Sequence, residues 1–215
     1  MNLNKNIIVF NKEIKVDDTE LFKHVLSKSS EFSKKLSNKK GQSVEHYYKE
    51  REASKPVKDI MVGKMGEFFA SVFMYKYFAY PKMLPDFSIY NNNKSWKEDL
   101  CYKELDSSLL NFHVKTCDSC TKNYLKGRES WTFQKSNKNK SNGGRDYIYT
   151  IGGLVIFVYI HSYYLNKAKI CFMTSWNRIK YLLKPPVSKK LIGIKECVYS
   201  DDIIKPGVKG VKIYA

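Results

Sequence analysis

The chain has no apolar run long enough to cross a bilayer. The longest, LVIFVYI at 154–160, is far short of the roughly 20 residues that a membrane helix needs. The first 16 residues, MNLNKNIIVFNKEIKV, hold an apolar core of only four, so no secretory leader is expected there. Cysteine is sparse and odd in number, five in all, without the spacing of a disulfide scaffold. That usage fits a reducing cytoplasm. Arginine is scarcer still: Arg51, Arg128, Arg145 and Arg178 are the only four among 38 basic residues. No phosphate-cradling Walker loop, Rossmann glycine fingerprint, GxSxG elbow or HExxH helix is present, and no internal repeat.

What is abundant is lysine. The formal net charge is +17 over 215 residues, an excess that points to a polyanionic partner, with nucleic acid the leading candidate. Lysine is a compact point charge suited to phosphates, whereas arginine is the fork that reads guanine edges. The balance therefore favours tracking of a nucleic-acid backbone over base reading. The rival reading is a compositional bias, since Asn, Ile and Tyr are plentiful too. With 43% hydrophobic and 14% aromatic residues there is material for a sizeable core. The length suits one domain: an N-terminal helical segment, 1–55, packed on or appended to an α/β core, 56–215.

Residues 1–16 read as a short strand pair or an extended arm. DDTELFKHVLSKSSEFSKKL (17–36) reads as an amphipathic helix, with Asp17, Asp18 and Thr19 at its start and Leu21, Val25, Leu26, Phe32 and Leu36 on its apolar side. A loop at 37–43 and a second short helix at 44–53, stopped near Pro56, are expected to follow. VKDIMVGKMGEFFASVFMYKYFAY (57–80) is apolar nearly all round and predicts a buried helix. Strands are expected at 87–90, 96–103, 109–117, 153–160 and 167–173, the last two as a hairpin, with 128–134 either a strand or a helix start. A short helix at 175–183, a turn at 184–190 and short strands to the C-terminus complete the pattern. The fold class is α/β: a central mixed β-sheet flanked by helices, with N-terminal helices.

The chemistry centres on LNFHVKTC (110–117). Leu110, Phe112 and Val114 alternate with Asn111, His113 and Lys115, the period of a strand. The preceding strand, 96–103, is joined to it by the turn-like ELDSS. A hairpin centred on Ser107 sets Asp99 opposite Lys115; a register shifted by two sets it opposite His113. Either register brings an aspartate, an imidazole and an ammonium to one place. A carboxylate to hold Mg²⁺, a second ligand and a cation are what metal-assisted phosphodiester hydrolysis requires. Glu67, in GKMGEFF (63–69), is a carboxylate inside the apolar helix. It lies either on a narrow exposed stripe with Lys64, Ser71 and Tyr75 or at the sheet edge in the metal shell, with Gly63 and Gly66 permitting close packing.

GxxGE on an early helix, an acid on one strand and HVK on the next resemble the PD-(D/E)XK nuclease superfamily, which has the restriction-endonuclease-like fold. KSWKEDLCY, HVKT and ESWTFQ resemble variants of it in which an Asp-Leu strand and a W-x-F-Q segment flank the lysine. The resemblance covers roughly residues 60–160. It implies Asp99 as metal ligand, Lys115 as catalytic lysine, Glu67 as accessory acid and Gln134 as a glutamine near the site. His113 stands where the family's (D/E)-x-K has a carboxylate. An imidazole is a poor ligand for Mg²⁺, which leaves three alternatives: Mn²⁺ is favoured, His113 contacts DNA or water, or the enzyme is impaired. Pro85-Asp86 imitates the motif's literal PD, so Asp86 is the alternative acid.

CDSC (117–120) has two of the four ligands of a zinc site, which Cys101 and His113 would have to complete; reduced structural thiols are the simpler reading. The polar loop 135–145, with Lys135, Lys138, Lys140 and Arg145, is either a surface loop or a phosphate-gripping flap. The expectation is a Mg²⁺- or Mn²⁺-dependent DNA endonuclease, cytoplasmic and DNA-associated, without a membrane partner and either monomeric or a homodimer. Its rivals are a nucleic-acid-binding protein of the same fold with a degraded site, and a plain interaction protein. If about six phosphates are neutralised, log affinity for DNA falls with log salt at a slope near −5. Titration of binding against salt measures this, and a slope near zero excludes phosphate-dominated binding.

Overall fold

The computed structural model describes residues 5–40, 54–88, 99–103, 109–135, 146, 148–205 and 208–214. Among these residues eight strands and several helices run in the order β1 (Ile7–Lys15), α1 (Thr19–Lys40), α2 (Ser54–Phe78), β2 (Leu100–Lys103), β3 (Leu109–Asp118), α3 (Ser119–Tyr124), β4 (Ser130–Gln134), α4 (Ile148–Ile151), β5 (Leu154–Ile160), β6 (Lys167–Ser175), α5 (Trp176–Ile179), β7 (Lys195–Tyr199), α6 (Ser200–Ile203) and β8 (Val211–Ile213). Six strands form one sheet in the order β2-β3-β5-β6-β1-β8, and β4 pairs with β7 in a separate two-stranded ribbon. The large sheet is mixed: β3 runs parallel to β5 and β1 parallel to β8, while the other neighbours are antiparallel. The protein is thus α/β with a mixed sheet flanked by helices. No described helix is long and apolar enough to cross a membrane.

Alternation along the strands divides the apolar residues between two cores. Ile8, Phe10, Phe112, Val114, Ile156, Val158 and Ile170 meet Phe68, Phe69 and Phe73 of α2 on one face. Ile7, Val9, Val155, Phe157 and Phe172 meet Trp131, Phe133, Val198 and Trp176 on the other. Every residue from Val155 to Val158 is fully buried, so this strand reads as a continuous apolar run because it is covered on both sides. The N-terminal segment is no appendage, because β1 lies inside the sheet between β6 and β8.

α1 begins where Asp18 Oδ1 accepts the Leu21 N–H at 2.9 Å, a side-chain cap. Its Ser29 and Ser33 are fully buried, their hydroxyls bonded to Val25 O and Ser30 O. Small side chains there let α1 lie close on α2, and Ser29 Oγ reaches Met65 Sδ at 3.7 Å. Pro56 falls in the first turn of α2, where its missing N–H costs nothing. The helix expected at 44–53 lies outside the described residues. So does most of the strand expected at 87–90, of which residues 87 and 88 are irregular. The segment 128–134 resolves into a strand.

Gly66 sets the distance between α2 and β3. A Cβ at this position would lie 1.8 Å from Thr116 Oγ1 and 2.9 Å from its Cβ. Gly63 has nothing within 4 Å of the same added atom, so only one of the two glycines is needed for packing. Alanine gains about 1 kcal/mol over glycine in a helix interior, whereas overpacking costs roughly 1–3 kcal/mol. Gly63→Ala is therefore expected to raise the denaturation midpoint and Gly66→Ala to lower it, with Thr116→Ala restoring part of the loss. Chemical denaturation of the three variants checks this, and a stabilised Gly66→Ala contradicts the close-approach account.

Candidate functional site

The site lies at the edge of β3, just beyond the start of β2. Leu100 pairs with Phe112, so Asp99 falls opposite His113, the shifted of the two registers anticipated. The Asp99 N–H donates to Phe112 O at 3.0 Å. Its Oδ2 accepts the Val114 N–H at 2.6 Å. The aspartate side chain thereby continues the ladder where the backbone of β2 leaves off. It fixes a carboxylate at the sheet edge between His113 and Lys115.

The faces of β3 separate the remaining groups. Phe112 and Val114 belong to the core under α2, and Thr116 abuts Gly66 on that same side. His113, Lys115 and Cys117 alternate with them and face the β4–β7 ribbon, where Cys117 joins the second core. Glu67, on α2, is thus across the sheet from Lys115. Asp99 is the group both sides share, because its charge acts on Glu67 and on His113 alike.

His113 is 5% exposed, and its Nε2 lies 3.1 Å from Gly152 O. A carbonyl only accepts, so Nε2 carries the proton and Nδ1 the lone pair. Burial holds its pKa below the ordinary value; Asp99 opposes that shift and Lys115 reinforces it. The imidazole is therefore neutral near pH 7. Lys115 Nζ lies 2.5 Å from Asp146 Oδ2 and 5.2 Å from the centre of the Phe133 ring. Asp146 is tied in turn to Gln134: its N–H donates to Gln134 O at 2.8 Å, and its Oδ2 accepts the Gln134 N–H at 3.1 Å.

Glu67 and Lys64 form a buried pair 2.8 Å apart, at 8% and 9% exposure. Lys64 also lies over the Phe32 ring of α1. The exposed-stripe reading of Glu67 fails, because Ser71 is buried too and only Tyr75 of that set is exposed. Burial pushes the Glu67 carboxyl up to about 8; Lys64 opposes this, while Asp99 and Asp86 add to it. Asp86 closes its own turn, its Oδ1 accepting the Ser88 N–H at 2.8 Å.

Among the described residues no three His, Cys, Asp or Glu side chains gather closely enough to hold a metal ion. Asp99 acts electrostatically on both Glu67 and His113, and Asp86 on Glu67, without the four closing on one point. The CxxC cysteines part company: Cys117 is buried with its thiol pushed up to about 12, and Cys120 is exposed against Lys58. Gln134 meets the site through its backbone. Lys135 pairs with Glu196 at 2.6 Å, and the Tyr149 hydroxyl donates to the other oxygen of that carboxylate. Lys138, Lys140 and Arg145 lie outside the described residues. Asp146 is the site residue that sequence reasoning missed; its only signal was an acid at the end of a basic, polar loop. No family model, no curated protein and no solved structure matches the chain.

The Glu67 pKa yields a stability prediction. A folded-state pKa of about 8 against an ordinary 4.5 means that the native state holds a proton which the unfolded state releases first. That contribution is fully present below pH 4.5 and is lost as pH rises through about 8, with a slope of at most about 1.4 kcal/mol per pH unit. Denaturation at a series of pH values is expected to show the decline in the wild type and a flatter profile in Glu67→Gln. Identical slopes in the two proteins would show that Glu67 is ionised throughout.

Proposed function

We propose that the protein is a Mg²⁺- or Mn²⁺-dependent DNA endonuclease of the PD-(D/E)XK kind, with a restriction-endonuclease-like core. The observation that carries this reading is the hydrogen bond from the Val114 N–H to Asp99 Oδ2, which holds an acid beside the strand that bears Lys115. The order helix, antiparallel β2–β3 and then β5 parallel to β3 supports the same reading. The net charge of +17 suits a DNA substrate.

The donor set fits a hard divalent cation in kind. Asp99 and Asp86 both act on Glu67 to raise its pKa, a mutual repulsion that a cation relieves. Asp99 would hold the ion, with Glu67 or Asp86 as the further acid and neutral His113 as a nitrogen donor that favours Mn²⁺. Bound there, the metal would polarise a phosphate and activate water. Lys115 supplies a positive charge for the developing phosphorane, and its side chain is 19% exposed, within reach of a substrate.

One observation favours the rival, a DNA-binding protein without catalysis: His113 replaces the motif's carboxylate, and its Nε2–H donates a hydrogen bond to Gly152 O. Incubation of supercoiled plasmid with the protein and Mg²⁺, Mn²⁺ or EDTA separates the two readings. Metal-dependent nicking or linearisation is expected. Asp99→Ala should abolish it while leaving salt-sensitive binding, Lys115→Ala should slow it about a hundredfold or more, and Asp86→Ala should do less. Binding without cleavage in any metal supports the rival. Full activity in Asp99→Ala moves the acid to Asp86.

A further inference from the structure

Lys115 is not a loose cation at the mouth of a cleft. Its ammonium is held between a carboxylate and an aromatic face; the ring belongs to β4, and the carboxylate is bonded to the last residue of that strand, Gln134. Phe133, fully buried, presents its ring 5.2 Å from Nζ. Asp146 Oδ2 lies 2.5 Å from Nζ on a side chain that is 25% exposed.

Asp146 is itself immobilised by the main chain. Its N–H and one carboxylate oxygen bond the carbonyl and N–H of the same residue, Gln134. Gln134 in turn pairs with Lys195 of β7. β4 is locked to the large sheet by Trp131, which is fully buried with Nε1 bonded to Val158 O at 2.9 Å. The carboxylate is thus a fixed post and the four-carbon lysine stem is the adaptable partner. An unanchored lysine would spread its charge over many rotamers; a charge-assisted hydrogen bond to a fixed post selects one of them. An ammonium has three N–H donors, so its bond to Asp146 leaves others for a phosphate oxygen.

We infer that Asp146 is a positioning residue that sets the Lys115 ammonium for phosphodiester cleavage, and that the β4–β7 ribbon is there to carry it. This rests on the endonuclease reading. Charge positioned before the reaction contributes to the rate more than to ground-state affinity. Loss of Asp146 should therefore appear in kcat and not in KM.

Asp146→Asn is the informative variant, because its side-chain carbonyl retains an acceptor for the Gln134 N–H while the charge is removed. Steady-state cleavage of supercoiled plasmid with Mn²⁺ is measured for the wild type, Asp146→Asn and Asp146→Glu, with thermal unfolding as the check on folding. Asp146→Asn is expected to lower kcat about tenfold or more with KM within about twofold, and Asp146→Glu to recover part of the loss. Wild-type kcat in a folded Asp146→Asn overturns the inference and leaves the endonuclease reading standing. Equal losses in the Asn and Glu variants, or a change in KM alone, also overturn it. If Asp146→Asn does not fold, Asp146→Glu decides: wild-type or mildly reduced kcat supports positioning, and inactivity at normal stability overturns it. Absence of cleavage by the wild type overturns the endonuclease reading, and this inference with it.

Discussion

A strand covered on both faces leaves a polar side chain nowhere to go except to a partner. β3 is covered in this way at His113, which is buried, and less fully at Lys115, whose side chain is 19% exposed; both lie on the face that meets the second core. Unpaired, either group would cost several kcal/mol in that setting. The surrounding structure supplies what they need: Gly152 O for the imidazole, and Asp146 with the Phe133 ring for the ammonium. The Val114 N–H of the same strand is satisfied by Asp99. Each of these partners comes from a different part of the chain, so the position of β3 organises the molecule around it.

The small β4–β7 ribbon makes sense in that light. Pairing between β5 and β6 shifts register at Phe157/Val158. The Val158 carbonyl is taken by Trp131, which anchors the ribbon over the sheet. Behind it, nearly buried Glu129 is bonded to Lys169 at 2.6 Å and Lys122 at 3.2 Å. Burial raises its pKa and the two lysines outweigh that effect, so the carboxylate stays ionised. The ribbon is thus fastened by an indole on one side and by a charge cluster on the other. On the opposite face the close approach of α2 at Gly66 brings Glu67 to the same edge of the sheet.

Patterning made much of this legible. The amphipathic period of 17–36, the all-round apolar character of 57–80 and the alternation in 109–117 follow from which faces are buried, and burial is written in residue type. The hairpin of β5 and β6, expected over 153–160 and 167–173, was legible for the same reason. Residues 1–16 read as a short strand pair or an extended arm because nothing local places a strand in a sheet; the partners of β1 in β6 and β8 are at least 152 residues away, the separation of Lys15 and Lys167.

For the site, the sequence by itself determined that an acid, a histidine and a lysine would meet on adjacent strands, since strand period and hairpin pairing are local. Which register they met in was a tertiary matter: with two registers compatible with the same alternation, packing of Leu100 and Phe112 in the core under α2 selected the one that faces Asp99 with His113. Tertiary structure also decided that Glu67 is buried against Lys64, because a helix polar on one line looks the same whether that line meets water or another helix. Above all it brought Asp146 to Lys115 across 31 residues. An ion pair between distant positions has no periodicity to betray it, and only the folding of β4 over β5 brings its two charges within reach of each other.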